Sequence, residues 1–190
     1  MLVWDANLRP GDLFIDGGAN VGIYSILASA LGAHVVAVEP AKDVIPLLEE
    51  NIQLNNANVE IVQAALGDAP GMANFTVGLD QENKLDPAGE TPVQVITLDD
   101  VIGDRCIAGM KLDLEGAELG ALLGATNALR EKRIALIQLE WNTLVDRTPV
   151  AEILRSHGYG LYEPTPEGML EPASSIRSAP QRNLFAAPLS

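Results

Sequence analysis

The chain has 190 residues and a mass of 20.2 kDa, and 47% of it is hydrophobic, which suits a single domain that buries about two-thirds of its unfolded surface without a covalent staple. Its one cysteine, Cys106, excludes an internal disulfide framework or thiolate zinc cluster and fits a reducing compartment; no secretory start or apolar run of about 18 residues is present, so a cytoplasmic location without membrane contact is expected. The formal net charge of -14, from 26 acidic and 12 basic residues with no Lys/Arg cluster, argues against a nucleic-acid partner, whose phosphates would be repelled.

Apolar runs and helical patterns then alternate along the chain, the signature of an α/β sheet with crossover helices. The first strand is expected over residues 13–16, a helix over about 21–31, and a second strand over 34–39. The next helix, about 42–55, carries Val44, Leu47, Leu48, Ile52 and Leu54 at mostly helical spacing and stops at Asn55-Asn56, before a strand over 59–62. Residues 67–97 break the rhythm with Gly, Pro and the alternating pieces MANFTVG and PVQVITL; this predicts a small antiparallel excursion, with 81–91 as a loop over the pocket. Regular alternation resumes with a strand over 108–114, a helix over 117–128, a strand over 134–140 and a helix over 149–157. Two short strands, 160–162 and 183–187, end the series, and the Pro/Ser-rich link 164–180 is expected as a surface loop. Cys106 is expected half-buried. The whole describes one domain, residues 1–190, with seven mostly parallel strands and helices on both faces of the sheet.

In a doubly wound sheet, ligands sit beyond the carboxyl ends of the strands, near the point where strand order reverses. Those ends are residues 16–22, Glu39-Pro40, Gln63-Ala64, 113–115 and Glu140, and four of the five carry an acid. In LFIDGGANVGIYSI, an apolar strand ends in Asp16, and Gly17, Gly18, Ala19 and Gly22, with Asn20 among them, lack bulk where the backbone must turn sharply near a ligand. A ligand-facing Asp16 about 4 Å from a pyrophosphate charge would cost on the order of 4 kcal/mol at an effective dielectric near 20, yet would attract the ammonium and sulfonium of S-adenosylmethionine. Glu39, closing HVVAVEP, suits the two ribose hydroxyls; Pro40 fixes the turn that follows, and Gln63 or Ala64 would line the adenine.

LFIDGGANVGIYSI, VVAVEP, LLEENIQLNN, AALGD, ITLDDVI, MKLDLEGAE and LIQLEWN together resemble the FkbM family of S-adenosylmethionine-dependent methyltransferases over about residues 10–142, with NLFAAP as a last strand. KLDLEGAE is the most family-specific of these pieces. The resemblance implies a Rossmann-like class I methyltransferase fold and methylation of a hydroxyl on a sugar, polyketide or other small metabolite. Family members commonly carry helical sequence ahead of the glycine turn, where this chain has about a dozen residues. The expected partner is a small hydroxylated acceptor, although residues 81–90 and 143–147, where it would bind, hold no substrate motif.

Within KLDLEGAE, Lys111 and Asp113 share one face of the strand, so Asp113 can point from its end into the cleft. A hydroxyl becomes a competent nucleophile as its proton is removed, and Asp113 is the candidate base, with Glu115 as the second catalytic candidate. Glu115 and Glu118 flank Gly116 at a helix start, where the helix dipole also favours acids. Glu140, beside Trp141, could complete an acidic cluster of the kind that holds Mg²⁺, but no metal is assigned. His34 and His157 receive no role. Two alternatives stand beside methyl transfer: an NAD-dependent dehydrogenase, and a catalytically idle cofactor-binding domain that acts through a partner.

Overall fold

The computed structural model describes residues 2–76, 89, 91–141, 146–173 and 182–189. Helix α1 (Leu2–Asn7) leads into β1 (Leu13–Gly17), α2 (Ile23–Ala30), β2 (His34–Val38), α3 (Ile45–Leu54) and β3 (Val59–Val62). There follow β4 (Ala65–Leu66), β5 (Gly71–Phe75), β6 (Thr91–Ile96), α4 (Leu98–Ile102), β7 (Gly109–Leu112), α5 (Glu118–Leu123) and α6 (Thr126–Arg130). The last elements are β8 (Ile137–Trp141), α7 (Thr148–Ser156), β9 (Tyr159–Pro164), β10 (Leu170–Pro172) and β11 (Arg182–Pro188).

Eight strands form the main sheet in the order β10-β9-β11-β8-β7-β1-β2-β3. The neighbours from β3 to β8 are parallel, while β11 is antiparallel to both β8 and β9, and β10 to β9. From β1 the chain builds outward through β2 and β3, then crosses back to β7 on the other side of β1. The strand order therefore reverses between β1 and β7, and a crevice opens at their carboxyl ends.

Strands in the middle of such a sheet are covered on both faces, which is why their sequences read as continuous apolar runs. Alternation divides them: Phe14, Val35 and Phe185 pack with α1 and α2, whereas Ile15, Val36, Met110 and Ile137 pack with α4 to α7. Among the described residues, no helix is long and apolar enough to cross a membrane.

Several expectations need correction. The sheet has eight strands rather than seven because Thr165 and Gly168 close a tight turn inside the supposed loop 164–180, and Leu170 to Pro172 then pairs back on β9. The helix expected over 117–128 breaks at Gly124, where a Cβ would lie 2.1 Å from the Gly67 carbonyl oxygen. Asp99 of α4 accepts from Asn127 N and Ala128 N, both at 2.9 Å, and so caps the second piece, α6. Helix α1, absent from the sequence reading, sets Trp4 edge-on against Phe14 at 4.9 Å. Cys106 is exposed, not half-buried. The antiparallel excursion does form, as a separate three-stranded sheet in the order β4-β6-β5; most of the loop expected over 81–91 lies outside the described residues.

Candidate active site

The turn after β1 is wedged between the ends of its two neighbours. Gly18 N and Ala19 N both donate to Val38 O of β2, at 2.9 and 3.2 Å, while Asp113 N donates to Gly17 O at 3.1 Å. Gly18 has φ +74°, and a Cβ there would stand 2.0 Å from the Asp113 carbonyl oxygen. Only glycine satisfies both demands. The turn also organises Glu39, whose two carboxylate oxygens accept from Asn20 N and Ala41 N, each at 2.9 Å. Burial pushes the Glu39 carboxyl up, and these two backbone donors pull it back.

These elements surround a cavity of about 320 Å³ at the crevice. Gly18, Ala19, Asn20, Glu39, Pro40 and Ala64 lie on its wall, as do Asp113 and Glu115. Val38, Val44, Ala65, Leu66 and Phe75 make one end apolar, and Phe75 is supplied by the small sheet, a contribution the sequence reading missed. Lys111, Asp113, Glu115 and Glu140 make the other end charged.

Four candidate residues are not on the wall. Gln63 is exposed, Gly17 belongs to β1 beneath the turn, and Gly22 begins α2 with φ +89° against Leu48. Asp16 lies behind the wall: it is fully buried, and its Oδ2 accepts from Ser25 Oγ at 2.6 Å while its Oδ1 has no hydrogen-bond partner. Its carboxyl is pushed up by burial, opposed first by the charge of Lys111. The expectation of a ligand-facing Asp16 is corrected accordingly, because its carboxylate is turned to the hydroxyl of Ser25 in α2.

Lys111 is the residue that sequence reasoning passed over. It is 6% exposed, its Nζ lies 3.0 Å from Asp113 Oδ2, and it sits 4.6 Å from the Tyr24 ring centroid. Burial alone would lower its pKa, but the charges of Asp16 and Asp113 outweigh burial and hold it above the usual lysine value. By register, Asp16, Lys111 and Gln138 are neighbours across β1, β7 and β8, a polar row between apolar layers. The signal was a lysine inside the apolar run GMKL.

Oxygens of Asp113, Glu115 and Glu140 all lie within 4.8 Å of one another. Glu140 is pushed up to about 7, first by burial and then by the charge and hydrogen bond of Asp113 and the charges of Glu115 and Glu118. Lys111 pairs with one of these carboxylates, Asp113. Glu118, fully buried, accepts from Leu114 N and Gly116 N at 2.9 and 3.4 Å and pairs with Arg147 Nη1. It thus anchors the loop that presents Asp113 and Glu115. Arg147, the last residue of the region expected to hold the acceptor, is occupied by Glu118; residues 142–145 lie outside the described residues. His34 and His157 are both off the cavity wall.

Residues 16–161, from the buried acid of β1 to β9, match the family described as methyltransferase FkbM domain. The chain belongs to the FkbM methyltransferase family. It is 26% identical over 149 residues to hexuronic acid methyltransferase AglP of Haloferax volcanii, an alignment covering 75% of this chain and 61% of AglP. It is 28% identical to 31-O-demethyl-FK506 methyltransferase FkbM of Streptomyces tacrolimicus, covering 80% of this chain and 74% of that protein. Among solved structures, precorrin-6y C5,15-methyltransferase of Geobacter metallireducens superposes with a TM-score of 0.60 at 18% identity, over 99% of this chain and 86% of the other. SMU.1697c of Streptococcus mutans, solved in complex with SAH, gives 0.59 at 14% identity over 98% and 94%. At these identities the structures establish the shared Rossmann-like methyltransferase fold.

In this FkbM domain the cavity chemistry fits a nucleoside with a cationic tail. The apolar end suits a flat base, the oriented Glu39 carboxylate suits a ribose diol, and the acids at the other end suit positive charge.

Proposed function

We propose that the chain transfers a methyl group from S-adenosylmethionine to a hydroxyl of a small metabolite or saccharide. The observation that carries this reading is Glu39, held on the cavity wall by two backbone donors with lone pairs left for a diol. Gly18, Ala19, Asn20 and Pro40 would bound the ribose, Ala64 the adenine, and Asp113 and Glu115 the end where methyl transfer takes place. Asp16 would act from behind the wall through its charge on Lys111, and Gly17 and Gly22 through the turn's shape, with Gln63 at its margin. When bound, S-adenosylmethionine supplies a methyl group activated by its sulfonium. The protein's own part is to hold the acceptor oxygen in line with that methyl and to receive a proton, which favours reaction through orientation and general-base catalysis.

A dinucleotide fits less well, since its phosphates would share the cavity with Glu39, Asp113, Glu115 and Glu140. The names of two relatives specify hexuronic acid and 31-O-demethyl-FK506 as their acceptors, which supports a small hydroxylated substrate. The excess of acidic residues supports an acceptor other than nucleic acid, and a single thiol supports a cytoplasmic setting.

Thermal unfolding with S-adenosylhomocysteine tests the donor half. The product analogue is expected to raise the melting temperature and NAD to leave it unchanged, with Glu39→Ala abolishing the rise. No rise in the intact protein would overturn the assignment.

A further inference from the structure

A second cavity, of about 210 Å³, adjoins the first. Tyr24 lines both of them, and Asn183 of the second pairs across the β8–β11 ladder with Glu140 of the first. Glu140 therefore stands at the junction of the two. Gln138 is spent inside the wall, accepting from Trp4 and donating to Tyr24 and Asn183, so the second cavity offers the hydroxyls of Tyr24 and Thr165, the amide nitrogen of Asn183, and the apolar sides of Val3 and Phe185. Among the described residues, no charged side chain lines it. Neutral donors and acceptors beside apolar surface match a neutral polyol ring of pyranose size, whose hydroxyls need partners and whose C–H faces need contact.

Asp113 is less available for proton removal than its position suggested. Its carboxylate is held by Lys111 at 3.0 Å, and Lys111 is fixed over Tyr24 with the charge of Asp16 also acting on it. Glu115 is exposed to solvent. Oxygens of Glu140 and Asp113 lie within 4.8 Å of each other, and such closeness of two carboxyl groups favours a proton on one of them.

Building on the methyl-transfer reading above, we propose that Glu140 takes the hydroxyl proton of a neutral, pyranose-like acceptor seated in the second cavity, with Asp113 and Lys111 as positioning residues. As the acceptor oxygen forms its bond to the methyl carbon, the carbon–sulfur bond breaks with its electron pair left on sulfur, and the oxygen's proton passes to a Glu140 oxygen. The groups that set the readiness of Glu140 are Asp113 and Glu115 beyond β7, Glu118 of α5, and Lys111 of β7 through its hold on Asp113. With Glu140 pushed up to about 7, its proton-accepting form appears as pH rises through neutrality.

The experiment measures labelled methyl transfer by the full chain to methyl glucoside and to the corresponding methyl glucuronide, from pH about 5 to about 9, with S-adenosylhomocysteine affinity measured in parallel. Transfer to the neutral glycoside is expected to exceed that to the uronate, and the rate to rise along an acid limb centred near neutrality. Glu140→Gln is expected to lower kcat about 100-fold or more and abolish that limb, with S-adenosylhomocysteine affinity changed less than about threefold. Asp113→Asn is expected to retain more activity and to move the limb to lower pH. Asn183→Ala is expected to raise KM for the glycoside more than it lowers kcat. Carboxyl-carbon NMR of the protein without ligands supplies a readout independent of turnover: one glutamate titrating near neutrality, lost in Glu140→Gln.

A Glu140→Gln variant with more than about a third of the parent rate, or with its acid limb intact, overturns the proposal. So does the absence of transfer to either glycoside while S-adenosylhomocysteine still binds. Failure to bind S-adenosylhomocysteine at all instead overturns the methyl-transfer reading beneath it.

Discussion

Asp16 and Glu140 are both acids driven toward protonation, but only one of them meets the cavity. Burial dominates at Asp16, whose Oδ1 has no partner; at Glu140, burial is reinforced by neighbouring carboxylates. Raising a carboxyl pKa in the folded state means the native protein holds its proton after the unfolded chain has released one. Stability therefore falls as pH rises between the two values. For Glu140 that window runs from the ordinary 4.5 to about 7. Glu140→Gln carries no such penalty, so the stability of the variant relative to the parent is expected to increase through that window, as read by urea unfolding at a series of pH values. A constant difference would show that Glu140 titrates normally. The pattern of acids at strand ends was legible in the sequence because strand termini were. Which acid meets the cavity was not, since Asp16 shares a sheet face with Lys111 and is kept from the cavity by the distant partner Ser25 of α2.

Elements position the site through two devices. One is the wedge of Gly18 beneath Asp113: Gly18→Ala must accommodate both φ +74° and a Cβ 2.0 Å from a backbone oxygen. It is expected to cost about 2 kcal/mol or more by chemical denaturation and to weaken S-adenosylhomocysteine binding. The other is the buried pair of Glu118 and Arg147, which tethers the loop after β7 to the start of α7. Glu118→Ala strands a buried guanidinium and is expected to lose about 3–5 kcal/mol, whereas replacing both partners with apolar residues of similar size is expected to lose much less. Denaturation of the single and double variants checks the difference. Long apolar strands and the Gly turn could be read directly because continuous apolar runs and missing side chains are local signals. Helix α1 and β10 are six and three residues long, too short for a period to show, and both depend on distant partners, Phe14 and β9 respectively. Phe75 reaches the wall only because β5 pairs with β6 in a sheet of its own.

At the scale of the whole molecule, the topology explains why chemistry collects at one edge: β1 and β7 diverge there, and the chain leaves their carboxyl ends in opposite directions. The net charge of -14 governs what approaches that edge. A duplex RNA fragment is expected to give no saturable anisotropy change even at low salt, where attraction to a basic surface would be strongest; saturable binding would show that a local basic patch overrides the net charge. The mostly parallel sheet could be anticipated from alternation, because crossover helices join parallel strands, whereas the order of the strands was not read from the sequence. The second cavity could not, since its walls come from α1, α2, β8, the turn after β9 and β11 at once.

Trp4 has a further consequence. Its indole nitrogen donates to Gln138 at 2.6 Å, and Gln138 in turn donates to the hydroxyl of Tyr24, the ring that borders both cavities beneath Lys111. A fluorophore sealed from water is thus wired to the place where substrates meet. Its emission, read in a Trp141→Phe background that silences the second tryptophan, is expected to change as the cavities fill, with no dye attached and no turnover needed.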